Sequence, residues 1–494
     1  MNMTANKLFA SILLLGAISC QGGRPERTAD ELPPIWPDYT GVTVPVNIAP
    51  MNFGPADGLP VRRMHVEVCD PSGKPVLRSR GTVARFPLRR WHRILNRHAG
   101  ADLTFQVAMR TQTGWTRYRP FTMHISLDPI DFGLTYRLIP PGYQSFGHMG
   151  IYERHLSDFR QRELIDTRML DSGCINCHTQ NRTDPASFSL HVRGAHSATL
   201  LRHDGQMECL NTLTDSTGGF FVYPYWHPTG RYTAYSVNTT RQSFYSAADH
   251  FLEVYDEKSD IIVYEPQTHT VLRPRELSRK DRFETWPAFS ADGNTLYYCS
   301  SLPGRLPRDA RQMQYSLCSL SFDPATGTFG AKADTLVDAR VKGISLSQPR
   351  PSYDGKYLLV TAADFGTFLI WHKEADLWLY NLENGDFYPA GGINSGDTES
   401  FHNWSSNSKW AVVASRRDDG LYTRLYLAHM NEEGRFDKAF LLPQKNPGKY
   451  YSEMIYSYNT PDFTSERVPF DRHAVRKAVL AKDRQGVKAN GMNP

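Results

Sequence analysis

Residues 287–300 read PAFSADGNTLYYCS, which is an aromatic-containing lead, a tight turn and an alternating strand. The turn is an Asp-Gly dipeptide, in which glycine supplies a positive φ and aspartate bonds its own backbone. The strand that follows is rich in β-formers, so the segment predicts a β-hairpin. Three other segments share this design: 225–237 (YWHPTGRYTAYSV), 349–362 (PRPSYDGKYLLVTA) and 403–415 (NWSSNSKWAVVAS).

A second hairpin follows each copy, at residues 260–272, 316–330, 376–390 and 423–436. Two hairpins make a four-stranded sheet, and units that recur roughly every 55–63 residues are typical of propeller blades. Residues 179–194 and 198–210 read as a degenerate fifth unit, and residues 450–463 are predicted to close the ring by pairing with the first blade. We therefore predict an all-β chain with a propeller over residues 181–470, of five blades, with six as the alternative number. An antiparallel sandwich with similar turns is the alternative.

The repeats resemble the TolB-type, WD40-like β-propeller family, whose blades carry a Pro-x-Phe-Ser-x-Asp-Gly-x-x-Leu-x-Tyr pattern. Thr229 and Asn407 replace the aspartate in two copies, and Ser408 replaces the glycine in one. The resemblance covers roughly residues 180–440 and implies the fold, whereas propellers host many unrelated functions. The chain is also similar to exported propeller proteins with an embedded CxxCH motif. The residues that match the family pattern most closely are Pro287, Phe289, Ser290, Asp292, Gly293, Leu296 and Tyr297.

The N-terminus has the pattern of an export signal. An apolar run from Leu8 to Ile18 follows Lys7 and is too short to span a bilayer, so residues 1–19 are predicted to be a removed signal peptide. The run ends at Cys20 and resembles a bacterial lipobox, with Ala17 where the family usually has leucine. The resemblance implies lipidation of Cys20, transfer to the outer membrane because Gln21 follows, and a tether over residues 20–37. An ordinary cleaved signal is the alternative.

Residues 38–135 read as a separate β domain with a sandwich-like fold. Its strand-like runs alternate with period two, and Leu88, Trp91, Ile94 and Leu95 lie on one face of a predicted short helix. Residues 136–180 are predicted to be a linker, and residues 471–494 a charged C-terminal tail. The net charge is +5 and the basic residues are scattered, which argues against nucleic-acid binding.

Cys174-Ile-Asn-Cys177-His178 is the motif that carries chemistry. A c-type haem needs two thiols spaced to meet its vinyl groups and an adjacent histidine as proximal iron ligand. The motif therefore predicts one covalent haem c held by Cys174, Cys177 and His178, in keeping with an exported protein. Two alternatives stay open: a redox disulfide between the cysteines, and a zinc site, although no second metal-binding pair lies at the usual spacing.

The distal iron ligand is predicted to be Met149, because a thioether partner favours an electron-carrying iron. His148, His191 and His196 are alternatives, and so is an open sixth position. Among the other cysteines, Cys299 and Cys318 are expected on neighbouring strands, as a disulfide or as free thiols. Cys69 and Cys209 are expected in the core.

Hydrolase and nucleotide-binding signatures are absent from the sequence, which contains no GxSxG, HExxH or P-loop. Propeller-bearing serine peptidases resemble the repeats but need a hydrolase domain, so we predict no peptidase activity. His227, His402 and Asp364 are candidates to line a propeller channel, although the polarity of loops accounts for them equally well.

Two functions from different classes are consistent with these features. The first is electron transfer or redox sensing by a lipid-anchored envelope cytochrome that uses its propeller to dock a redox partner. The second is a haem-free scaffold or ligand-binding lipoprotein that recruits envelope proteins or glycans. Both place the protein at the outer membrane, on its periplasmic or surface face.

Overall fold

The computed structural model of this chain describes residues 27–141, 148–171, 173–212, 217, 219–245 and 252–489. The architecture is all-β, as predicted, with an N-terminal β domain followed by a β-propeller. Within these ranges no helix is both long enough and apolar enough to cross a bilayer.

The N-terminal domain is built on one seven-stranded sheet, with order β1-β8-β7-β5-β6 and β9 joining both β7 and β3. A two-stranded ribbon pairs β2 with β4, so the domain is one sheet with a ribbon where the sequence suggested a sandwich. Its elements are β1 (Arg27–Thr28), β2 (Ile35–Trp36), β3 (Thr43–Pro45), β4 (Gly54–Pro55), β5 (Arg63–Cys69), β6 (Pro75–Gly81), α1 (Leu88–Arg97), β7 (Asp102–Thr111), β8 (Gly114–Arg117) and β9 (Phe121–Ser126).

Helix α1 forms where the sequence predicted it. Trp91, Ile94 and Leu95 are buried in the core of the domain, as expected from their helical spacing, whereas Leu88 in the first turn stays exposed. The indole Nε1 of Trp91 donates to the carbonyl of Ile48 at 3.1 Å, which gives the buried ring a polar partner.

The propeller elements follow in chain order. They are β10 (Gly133–Ile139), β11 (Gly150–His155), β12 (Gln161–Asp166), β13 (Cys174–Asn181), β14 (Asp184–Arg193), β15 (Ala198–His203), β16 (Gln206–Asn211), β17 (Phe221–Trp226), β18 (Thr233–Phe244), β19 (Leu252–Glu265), β20 (Thr270–Leu272), β21 (Phe283–Phe289), β22 (Thr295–Ser301), β23 (Ser316–Asp323), β24 (Thr328–Phe329), β25 (Asp334–Val337), α2 (Ala339–Lys342), β26 (Ser345–Pro351), β27 (Tyr357–Ala363), β28 (Asp376–Asn381), β29 (Phe387–Pro389), β30 (Glu399–Trp404), β31 (Trp410–Ser415), β32 (Arg424–His429), β33 (Phe440–Leu441), α3 (Pro447–Glu453), β34 (Ser457–Thr464), α4 (Arg472–Leu480), β35 (Gln485–Gly486) and β36 (Lys488–Ala489).

The strands assemble into six blades over the described part of the chain. Blade 1 combines β10, β11 and β12 with β34, and blades 2 to 6 begin at β13, β17, β21, β26 and β30. Six is the larger of the two predicted numbers. The count of five was one short, because β10 to β12 lie in residues that the sequence assigned to the N-terminal domain and the linker. Residues 136–180 are therefore largely propeller strands and not a linker.

The ring closes through β34, which pairs antiparallel with β10 and becomes the innermost strand of blade 1. Closure by residues 450–463 was predicted, and the strand spans Ser457–Thr464. Because the two ends of the ring share one blade, its opening requires loss of the β10–β34 ladder.

Each innermost strand carries the same irregularity. In all six blades the ladder to the next strand slips where one residue has a positive φ, and the β13–β14 ladder slips a second time between Gln180 and Asn181. Bulges of this kind re-aim side chains, and positive φ is strained for residues other than glycine. These six bulge residues are Cys177 (φ 50°), Tyr223 (50°), Trp286 (55°), Gln348 (55°), Phe401 (43°) and Thr460 (43°).

The N-terminal domain packs against blade 6. One hydrophobic cluster runs from its core into that blade, including Trp404 and Trp410. The Nε1 of Trp410 donates to the Asp128 carbonyl at 3.2 Å, and the Ser406 hydroxyl donates to Asp131 at 2.6 Å. The domain is therefore held by both apolar burial and polar contacts.

The described residues of the predicted C-terminal tail pack against the propeller. Asp471 caps α4, whose Val475 and Val479 are buried against blade 2. Beyond the helix, β35 pairs with β16 and β36 pairs with β20, both in parallel. The tail thus covers the outer strands of blades 2 and 3.

Candidate functional site

A cavity of about 220 Å³ lies where the innermost strands converge. All six bulge residues line it, as does His402. His227 and Asp364, the other channel candidates, are not among the described residues that line it. The positive φ at each bulge explains the convergence, because it turns one side chain per blade toward the centre.

Cys174, Cys177 and His178 lie together on β13, the innermost strand of blade 2, and all three line the cavity. Both cysteines are half-buried and neither forms a disulfide. Burial raises the pKa of the Cys177 thiol, and the nearby guanidinium groups of Arg193 and Arg137 oppose that rise. The structure therefore brings the three predicted haem-binding residues into one space.

His178 is buried, with 8% of its surface exposed. Its Nδ1 lies 3.3 Å from the Thr460 hydroxyl, while its buried Nε2 has no hydrogen-bond partner. Burial lowers the pKa of the imidazole to about 3, with a further contribution from the charge of Arg137 and partial opposition from the Thr135 backbone. A neutral imidazole with one nitrogen held and the other unpaired is the form that ligates a metal.

The wall beyond the motif is aromatic. Tyr223 and Trp286 stack at a centroid distance of 3.6 Å and an interplanar angle of 24°, and Phe401 meets Trp286 edge-on at 6.3 Å. The Trp286 Nε1 donates to the Thr367 hydroxyl at 2.9 Å, which holds the indole in place. This wall offers flat apolar surface to a planar ligand.

The cavity is rich in positive charge. Four arginines line it and Asp462 is the one acid among the described lining residues. Burial raises the pKa of Asp462 to about 6, so its negative charge is partly lost near that pH. The arginines are Arg137, Arg193, Arg350 and Arg416.

Met149, the predicted distal ligand, is buried in blade 1 just before β11 and is not among the residues that line the cavity. Met149 therefore lies outside the set of described residues that share the cavity with His178. None of the alternative histidines lines the cavity either: His148 contacts Asp166 at 3.1 Å, His196 lies 3.6 Å from Asp171, and His191 lies 3.1 Å from the Thr199 hydroxyl.

The other four cysteines that the structure describes do not line the cavity. Cys299 pairs with Leu317 and Cys318 pairs with Tyr298, so consecutive register positions place the two thiols on opposite faces of blade 4. The disulfide considered for them does not form, and both are buried free thiols. Cys69 and Cys209 are buried, as expected. Cys20 lies outside the described residues.

The sequence did not single out the arginines or the aromatic wall. A signal for the wall existed: Tyr223, Trp286 and Phe401 each stand at the same offset before the hairpin turn of their repeat. No comparable pattern marks Arg137 and Arg193, because they come from second strands of different blades, β10 and β14.

No family model and no curated protein matches this chain. Among solved structures, it is similar to a puromycin-hydrolyzing peptidase of Mycobacterium tuberculosis, at 12% identity and a TM-score of 0.35 over 70% of this chain and 52% of that one. It spans about half of that peptidase. A Trypanosoma rangeli sialidase in complex with sialic acid matches at 10% identity and a TM-score of 0.35, over 78% and 59%. A DUF4784 family protein from Bacteroides caccae matches at 7% and 0.31, over 74% and 96%.

Proposed function

We propose that this protein is a single-haem c-type cytochrome of the cell envelope that transfers electrons or senses redox state. Cys174 and Cys177 would hold the haem and the Nε2 of His178 would ligate its iron. The observation that carries the proposal is the buried, unpartnered Nε2 of His178, which shares one cavity with both thiols. When bound, the haem supplies a one-electron couple at its iron.

The chain's own residues are suited to such a group. Thr460 orients the imidazole through Nδ1, and burial keeps the ring neutral, so that the tautomer with its proton on Nδ1 would offer the Nε2 lone pair to iron. Each thiol would add across one vinyl group, its sulfur bonding one carbon and its hydrogen going to the other, so attachment would need no oxidant. The cavity is smaller than the roughly 300–1,000 Å³ of typical ligand sites and can enclose only part of a porphyrin.

The proposed function also includes a location in the cell envelope and a redox partner. Lipidation at Cys20 would anchor the protein at the outer membrane, and the propeller would present docking loops to a redox partner. Substitution of Cys20→Ala is expected to move the protein from the membrane fraction to the soluble fraction after cell lysis.

Haem content after denaturation tests the central claim. The full chain is co-expressed with a cytochrome c maturation system, and covalent haem is measured as the pyridine haemochrome. We expect near one-to-one haem in the unmodified protein and none in Cys174→Ser/Cys177→Ser. The matched control is Cys69→Ser/Cys209→Ser, which removes two buried thiols away from the cavity and should retain full haem content.

Absence of haem in the unmodified protein, while a control cytochrome matures in the same cells, would contradict the proposal. The second function would then remain: a haem-free propeller lipoprotein that binds a ligand or an envelope partner. The specific observation in its favour is the same cavity, whose aromatic wall and arginines also suit a soluble ligand.

A further inference from the structure

We infer that Arg137 and Arg193 form a carboxylate-binding subsite in the channel cavity, beside Cys174 and Cys177. The inference deepens the proposed function and rests on it where the carboxylates are the propionates of the haem. A soluble organic acid presents the same chemistry, and a binding experiment can separate the two sources.

Arg137 reaches the cavity from blade 1. Only 8% of its surface is exposed, and its Nη1 donates to the Ile175 carbonyl of the neighbouring blade at 3.2 Å. Its Nε is buried and has no hydrogen-bond partner among the described residues. One side of the guanidinium is therefore fixed by the backbone while another donor remains to be satisfied.

Arg193 reaches the cavity from the end of β14, directly opposite Cys174 in the ladder of blade 2. Its Nε is also buried without a hydrogen-bond partner. Arg137 and Arg193 line the same cavity as Cys177 and Tyr223, so guanidinium groups from two blades contribute to one space.

Neither guanidinium has a counter-ion in the part of the chain that the structure describes. Among the described residues, no carboxylate oxygen lies within 4.0 Å of Arg137 or Arg193. Asp462, the acid of the cavity, instead accepts a hydrogen bond from the amide of Asn403. Buried charges in proteins are ordinarily paired, because an unpaired one costs several kcal/mol. An anion from outside the chain would supply the missing partner.

The chemistry favours a carboxylate on a flat molecule. Planar guanidinium groups bind carboxylates through paired N–H donors, and here two of them lie beside one cavity. The stacked rings of Tyr223 and Trp286 provide a flat apolar wall in the same space. A porphyrin with two propionates combines both properties.

The test uses the full-length Cys174→Ser/Cys177→Ser protein, which cannot attach haem covalently. Binding of haemin, of haemin dimethyl ester and of succinate is measured by absorbance and calorimetry, in this background and with Arg193→Gln added. Arg193→Lys keeps the positive charge but removes the planar guanidinium, so it tests whether charge alone is enough to bind the carboxylate. Arg160→Gln is the control, because that side chain is 75% exposed and pairs with Asp158 outside the cavity. Thermal melting verifies that each variant is folded.

We expect haemin to bind roughly tenfold to hundredfold more tightly than its dimethyl ester, as charged hydrogen bonds imply. Arg193→Gln should abolish that difference, and Arg160→Gln should preserve it. Binding of succinate that depends on Arg193, with haemin and its ester bound alike, would identify a soluble carboxylate as the ligand. If neither haemin nor succinate binding depends on Arg193, including the case in which neither binds, the inference is overturned.

The haem proposal is judged separately. Covalent haem in the unmodified protein depends on the cysteines, whereas carboxylate binding is measured in a protein that lacks them. A protein without covalent haem that still binds succinate through Arg193 would refute the first proposal and leave the second standing.

Discussion

His178 in blade 2 and His402 in blade 6 occupy the same position of the repeat, directly after the bulge residues Cys177 and Phe401. Both imidazoles are buried and line the cavity, and burial lowers the pKa of each to about 3. Their nitrogens differ. The Nε2 of His402 donates to the Leu359 carbonyl at 2.8 Å and its Nδ1 lies 3.4 Å from the Thr361 hydroxyl.

The difference separates a structural histidine from a candidate ligand. His402 bridges two strands and has both nitrogens in contact with polar partners, so nothing is left to bind. His178 has a partner at Nδ1 alone, and its buried Nε2 is a donor or acceptor that the protein does not use. A buried nitrogen without a hydrogen-bond partner is energetically unfavourable, so the Nε2 of His178 is the nitrogen that a ligand would satisfy.

The largest expected effect is on the ligation of iron. In the haem-loaded protein, His178→Gln should remove the histidine ligand completely and change the absorbance and electron paramagnetic resonance spectra to those of a differently ligated iron. His402→Gln should leave both spectra unchanged, because His402 has no nitrogen to offer. Equal spectral changes in both variants would remove the distinction between the two histidines.

The second effect is on stability in the haem-free protein. His402→Phe removes the hydrogen bond that Nε2 donates to the Leu359 carbonyl and the contact to the Thr361 hydroxyl, whereas His178→Phe removes one long contact to Thr460. A buried polar group that loses its partner costs about 1–3 kcal/mol. We expect the free energy of unfolding to fall by about that much more for His402→Phe. Urea denaturation at pH 7 measures it, and a larger loss for His178→Phe would contradict the structural role of His402.

The smallest expected effect is on the free energy of unfolding at acidic pH. Each imidazole has a folded pKa of about 3 and an ordinary unfolded pKa of 6.5, so between these values the unfolded chain binds the extra proton. Stability must therefore fall as pH drops below 6.5, by an upper value of about 1.6 kcal/mol per histidine at pH 5. Either histidine replaced by glutamine should flatten the unfolding free energy between pH 6.5 and 5 in the haem-free protein.

Haem loading should separate the two histidines in the same measurement. Ligation of His178 makes protons compete with iron at Nε2, whereas His402 keeps its haem-free behaviour. If the acid dependence contributed by His402 changed on loading, and that of His178 did not, the assignment of the iron ligand would be reversed.

Most of the fold could be predicted from local sequence. A hairpin depends on neighbouring residues, so turns such as Asp292-Gly293 and the strands beside them could be predicted without tertiary information. The helix at Leu88–Arg97 could be predicted for the same reason. The CxxCH motif likewise marked Cys174, Cys177 and His178, because its chemistry depends on residues that are close in the chain.

The predictions that the structure corrects concern features that depend on contacts between residues far apart in the sequence. Blade 1 pairs β10, near the start of the propeller sequence, with β34, near its end. Neither of these two segments alone contains the two-hairpin repeat from which the number of blades was predicted. Met149 was paired with His178 on chemical type alone, and it is not among the described residues that line the cavity with His178.

By itself, the sequence determined the repeated hairpins, the all-β class and the CxxCH motif, since each follows from short-range backbone preferences or residue spacing. Only the tertiary structure decided that there are six blades, that their bulge residues meet at one cavity, and that Arg137 and Arg193 stand beside the motif without a counter-ion. The physical reason is that burial and pairing of a charge depend on which strands lie next to each other once the ring has closed. The same reason distinguishes His178 from His402, which the repeat makes equivalent and the neighbouring strands do not.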